Sequence, residues 1–196
     1  MKDHPILFSG AMVRALLDGS KTQTRRALKV RCQEIGERDD GSLWPWSENA
    51  DTAADHWHAC PYGQPGDRLW VRETFCDLDD GEFEYRADGE CDPNVVPRWT
   101  PSIHMPRAAS RILLEIVSVR VERLQDISEA DCWAEGIEMV DGLLDDLAII
   151  HLAKQMGRSF EDAAPTYAAL WESINGAGSW DANPWVWVVE FKRVAV

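Results

Sequence analysis

The chain reads as an α+β fold built on a mostly antiparallel sheet or small barrel. Three observations point there. Helix and strand patterns succeed one another without a strand-helix-strand rhythm, no glycine-rich phosphate loop follows a strand, and the clearest β-branched run, Arg111 to Val121, is bounded by irregular sequence. A length of 196 residues favours one domain, with 45% hydrophobic and 28% charged residues excluding wholesale disorder.

The elements follow in order. After Ile6-Leu7-Phe8, Ser9 is placed to cap a short helix from Gly10 to Asp18, and Gly19 to end it. Lys21 to Arg26 reads as extended, with Thr22, Thr24 and Arg26 facing one way and Lys21, Gln23 and Arg25 the other. Residues 32 to 66 show no periodicity and read as a long irregular insertion. Pro65-Gly66-Asp67 is turn chemistry before a strand from Leu69 to Phe75, for which Phe83 to Tyr85 is a hairpin partner. A second irregular stretch, 88 to 107, carries Pro93, Pro97, Pro101 and Pro106. Beyond the long strand, Ser128 and Asp131 suit the opening of a helix that Gly136 closes. Leu143 to Met156 has helical spacing in Leu144, Leu147, Ile150 and His151, Thr166 to Ile174 follows Pro165 as another helix, and Trp185 to Phe191 ends as a strand.

The net charge of −14 argues against a general nucleic-acid coat, because a phosphate backbone binds through clustered cations. The charge is unevenly distributed, however. Between Ala11 and Arg31, six cations (Arg14, Lys21, Arg25, Arg26, Lys29, Arg31) face Asp18 alone, a local +5 that leaves −19 elsewhere. A focused positive spot on an acidic body suits one anionic or polar ligand, although charge runs are also commonly solvated turns. Ten tryptophans leave two uses open, core filling or a platform for a flat ligand. Five cysteines, Cys32, Cys60, Cys76, Cys91 and Cys132, have no CxxC spacing and suggest a reduced, cytoplasmic protein. The first residues hold too short an apolar run for export, and no stretch approaches the roughly 20 apolar residues of a membrane helix.

Four segments, ILFSGAMVRALLDGSKTQTRR, YGQPGDRLWVRETF, ISEADCWAEGI and SWDANPWVWVVEFKRV, resemble the ASCH-domain family, especially its longer phage-associated members. The resemblance implies a PUA-like fold: a small, mostly antiparallel β-barrel with flanking helices, here a single domain over 1–196 with insertions near 32–66 and 88–107. Small ASCH proteins include amidohydrolases that deacetylate N4-acetylcytidine. Their lysine, threonine and glutamate fall on Lys21, Thr24 and Glu135, and the flanking arginine on Arg26. As implied ligand contacts, Thr22 and Arg25 join Arg26 from the same segment, and one of Arg72 and Glu73 in WVRET reaches the cleft. The implied partner is a modified nucleoside or short RNA, with no cofactor or metal.

Hydrolysis of an N-acetyl amide needs a nucleophile, a base and an acid for the departing amine. On the three residues that the resemblance supplies, that chemistry has Thr24 attack, Lys21 take its proton and Glu135 protonate the leaving nitrogen. A lysine with a pKa of about 10.4 is neutral in only about 0.04% of molecules at pH 7, a gap of about 4.6 kcal/mol, so the base role requires a depressed pKa. As a permanent cation, Lys21 would instead hold the oxyanion together with Arg26. A non-catalytic RNA- or nucleotide-binding module is the alternative function, with a metal-dependent ribonuclease third. His56, His58 and Cys60 alternate as metal ligands would on a strand, without a fourth ligand at recognisable spacing. Trp185 and Trp187 share a strand face and suit the core better than a base platform.

Overall fold

The computed structural model describes residues 1–29, 34–49, 54–78, 81–89, 92, 96, 98–137 and 146–195. They form a mixed α+β architecture. Its centre is a five-stranded sheet in the order β1-β6-β9-β10-β2, comprising β1 (Asp3–Leu7), β2 (Gln23–Ala27), β6 (Arg68–Arg72), β9 (Leu113–Arg123) and β10 (Trp185–Val194). β1 runs parallel to β6, and the other pairings are antiparallel. The long β9–β10 ladder is the spine, with its register shifted between Glu190 and Phe191. The spine is covered on both faces: Leu113, Leu114, Ile116 and Val121 of β9 are buried, as are the consecutive Val186, Trp187, Val188 and Val189 of β10. The named pairings leave β1 and β2 as edges, and no closed barrel is formed among the described residues.

Helix α1 (Gly10–Asp18) follows the sequence closely, with the Ser9 side chain accepting from Met12 N–H and Gly19 in the left-handed region at φ 88°. α2 (Glu129–Ala134) is capped by Ser128, which accepts from Asp131 N–H. α4 (Ala163–Asn175) starts three residues before the expected Thr166, with Pro165 inside its first turn, where a missing N–H costs nothing. The expected strand of 69–75 divides into β6 and β7 (Phe75–Asp77), and β7 pairs with β8 (Phe83–Tyr85) as a hairpin.

Two expectations need correction. Residues 34–57 are not irregular: β3 (Glu34–Glu37), β4 (Leu43–Asn49) and β5 (Ala54–Trp57) form an antiparallel meander. Pro45 in its middle strand, with no N–H to give, hides the pattern locally. Aromatic packing overrides that deficit: Trp46 pairs with Trp57 at 6.4 Å, and Trp44 meets the core Trp187 edge-on at 4.9 Å. Asp40-Gly41 between β3 and β4 is the hairpin signal that was available.

The second correction concerns the apolar face of α3 (Asp146–Met156). Leu147, Ile150 and His151 are exposed, whereas Leu152 and Ala153 are buried with Ile149 and Met156 partly covered. The stripe 149-152-153-156 is itself a helical period, and it is the one that packs towards α4. Residues 143–145, including Leu144, lie outside the described residues, as do Cys32, Cys91, Pro93 and Pro97. Among the described residues no helix is long and apolar enough to cross a membrane.

Candidate functional site

The two edge strands approach one another, and a cavity of about 420 Å³ lies between β1, β2 and α4. Arg26 of β2 donates to the Leu7 carbonyl of β1 at 2.8 Å, linking the edges without a backbone ladder. Thr24, Arg25, Arg26 and Glu135 line this cavity together with Tyr167 and Trp171 of α4. Its volume is in the range of small-ligand pockets.

The alternation expected for 21–26 explains how the segment serves two sides. Lys21, Gln23 and Arg25 turn to α2 and its end, Thr24 and Arg26 take the cavity side, and Arg25 also borders the cavity. Lys21 Nζ donates to Glu135 Oε2 at 2.8 Å and to the Glu135 backbone carbonyl at 2.8 Å, with its side chain wholly buried. That carbonyl is one of the last of α2, which lack intrahelical partners, so a cation is favoured there. Gly136 makes the approach possible: at φ 77°, a Cβ would stand 2.8 Å from Ala15 Cβ and 2.9 Å from Lys21 Cβ.

Arg25 is equally enclosed. It bonds Glu122 of β9 through Nε at 2.9 Å, Asp131 at 3.0 Å and Glu135 Oε1 at 3.3 Å. Gln23 donates to the Asp131 carboxylate at 3.0 Å. Arg120 extends the network to Glu122, Asp131 and Glu190. Both carboxylate oxygens of Glu135 are therefore held by cationic donors, one from Lys21 and one from Arg25.

Burial pulls the Lys21 pKa below that of a free lysine; Glu135 works against the fall, and Arg26 and Arg25 add to it. Burial pushes Asp131 up, but Gln23, Arg25 and Arg120 outweigh it and hold the carboxyl below its usual range. Breaking such a buried network by removing one member strands an uncompensated charge, which costs far more than the network contributes over apolar packing.

Thr24 is 1% exposed, and its hydroxyl has no hydrogen-bond partner among the described residues. Lys21 is buried behind the cavity wall and reaches it through Glu135. Thr22 is exposed and ties the segment down by its backbone, donating to Ala134 and accepting from Phe191. Arg72 and Glu73 line no part of the cavity. Arg72 donates to the Ile103 carbonyl, and Glu73 pairs with Arg111 at 2.9 Å in a separate cluster that includes Asp88.

The chain matches no known protein family, no curated protein and no solved structure. The site therefore stands on its own geometry.

That geometry adds Glu122, Asp131, Arg120, Tyr167 and Trp171, which sequence reasoning did not assign to the site. Arg120 and Glu122 share one face of β9 by their spacing, the only sequence signal for them. His56 and His58 meet edge-on at 4.9 Å, and His58 Nε2 lies 2.9 Å from Ser47 Oγ. No group of three or more His, Cys, Asp or Glu side chains is placed to hold a metal among the described residues. A second cavity, about 590 Å³, opens beside the accessory meander, where Arg38 stacks on Trp44 at 3.9 Å. None of the Lys21 network lines it.

Proposed function

We propose that this chain is an ASCH-type, PUA-like domain that removes the acyl group from an N4-acylated cytosine nucleoside such as N4-acetylcytidine. The observation that carries the proposal is the buried Lys21–Glu135 pair, at 2.8 Å, whose carboxylate shares a cavity wall with Thr24 and Arg26. The mixed sheet whose edge strands are bridged by Arg26 supports the PUA-like part of the reading.

In this reading Thr24 Oγ attacks the acyl carbon, and its proton passes to the Lys21–Glu135 pair. Burial lowers the Lys21 pKa against the pull of Glu135, which makes its ammonium a better proton donor than a free lysine. Collapse of the tetrahedral species breaks the bond from carbon to N4, which takes a proton from the same pair. Water then hydrolyses the acyl-threonine, returning one proton to Thr24 and releasing the acid. Since Lys21 is off the wall, its work is proton supply behind Glu135 in preference to direct contact with the oxyanion.

A second reading, a binding module for RNA or a nucleotide, is favoured by one observation: both Glu135 oxygens are already engaged. Incubation of purified protein with N4-acetylcytidine, followed by chromatography for cytidine, separates the two. Turnover abolished by Thr24→Ala and Glu135→Ala supports the enzyme. Binding of the nucleoside without turnover supports the module and rejects the enzyme for this substrate.

A further inference from the structure

With Lys21 behind the wall, the oxyanion of the proposed reaction needs another donor. Several cations are committed, Lys21 to Glu135, Arg25 to Glu122, Asp131 and Glu135, and one Arg26 nitrogen to Leu7, while Lys29 also borders the cavity. Two buried residues on the wall, Thr24 and Tyr167, have hydroxyls without a partner among the described residues. Trp171 beside them has a buried indole nitrogen that is also unpaired. A wall with spare donors and its carboxylate already satisfied calls for a ligand that brings acceptors.

We infer that Tyr167 is a further catalytic residue, whose phenol donates a hydrogen bond to the acyl carbonyl oxygen of the ligand as Thr24 attacks. The inference rests on the amidohydrolase reading. As the bond from Thr24 Oγ to carbon forms, the carbonyl π pair moves onto oxygen, and Tyr167 stabilises it while keeping its own proton. When the bond to N4 breaks, that pair re-forms the carbonyl, and the proton on N4 comes from the Lys21–Glu135 pair. Three features suit Tyr167 to this task. The residue is 3% exposed, so its ring is held within the wall. Trp171 at 6.4 Å and Trp180 at 6.3 Å flank the ring and fix its direction on α4. Burial, followed by the nearby Glu135 carboxylate, raises its pKa well above that of a free tyrosine, which keeps the donor protonated.

The test is Tyr167→Phe, which deletes one oxygen and keeps the ring. Expected are an unchanged urea midpoint, cytidine affinity within about 2-fold of wild type, and a fall of about 100-fold in kcat on N4-acetylcytidine with KM changed less than about 3-fold. Calorimetry adds a readout independent of turnover: the variant should lose about 10-fold of any preference for N4-acetylcytidine over cytidine. Unchanged kcat and unchanged acyl preference overturn the inference. So does a loss of folding stability with equal weakening of both ligands, which would mark the hydroxyl as structural. If the wild type binds N4-acetylcytidine but does not hydrolyse it, the amidohydrolase reading and the catalytic role fall together, and a retained effect on acyl preference keeps Tyr167 only as a carbonyl-binding residue. A wild type that neither hydrolyses N4-acetylcytidine nor distinguishes it from cytidine removes both ideas.

Discussion

Replacing Glu135 with Gln keeps the shape of the side chain and deletes the counter-charge of Lys21. Afterwards Lys21 Nζ retains the backbone carbonyl of residue 135 at 2.8 Å, while Arg25 retains Glu122 and Asp131. Removing one partner of a buried pair costs about 3–5 kcal/mol. A ceiling follows from titration, because the folded protein can escape by releasing the lysine proton at a cost of at most about 4.6 kcal/mol at pH 7. The two bounds together place the loss at about 3–4.6 kcal/mol, or about 6–18 °C in Tm for a chain of this size. The pH dependence has a definite sign. Burial lowers the Lys21 pKa in the folded state, so the unfolded chain binds more protons in the window between that lowered value and about 10.4, and stability rises with pH there. Above the wild-type folded pKa, Lys21 is neutral with or without Glu135, and the deficit of the variant shrinks. Urea unfolding followed by tryptophan fluorescence at pH 7 and pH 10 measures both effects. A Lys21→Met background should reduce the cost of Glu135→Gln to under about 1 kcal/mol. A loss below about 1 kcal/mol at pH 7, or one equal in the Lys21→Met background, would refute the buried-pair account.

Three other outcomes are expected. Thr24→Val should leave stability within about 1 kcal/mol, since the hydroxyl has no partner among the described residues, and should cut turnover of N4-acetylcytidine at least about 100-fold; a variant of normal rate excludes Thr24 as nucleophile. Gly136→Ala should cost at least about 2 kcal/mol in urea unfolding, because φ is 77° and the new Cβ would meet Ala15 at 2.8 Å. Burial pushes the thiols of Cys60 to about 11 and Cys132 to about 12, so iodoacetamide at pH 8 should spare both in the native protein and label both in urea. Mass spectrometry of tryptic peptides checks the last, and native labelling of Cys132 would contradict its enclosure.

Most of the helices and strands were legible because their signals are local. Ser9 and Gly19 bound α1, Ser128 opens α2, and the β-branched run marks β9. The meander of 34–57 was not, because tryptophan pairs across strands supply what Pro45 denies to the local pattern. For α3, two overlapping stripes satisfied the helical period, and only packing against α4 chose between them.

For the site, sequence alone determined the alternation of Lys21, Gln23 and Arg25 against Thr24 and Arg26, because side chains on a strand have a period of two. A resemblance then singled out Glu135, 114 residues from Lys21. Tertiary structure decided the rest. It buried an apparent basic turn under Glu122, Asp131 and Glu135, set Arg72 and Glu73 away from the cavity, and brought Tyr167 of α4 to it. The reason is physical: a charge carries no mark in sequence of whether it will be solvated or desolvated. That depends on which distant carboxylates the fold delivers, and here they come from β9 and from α2 with its C-terminal end.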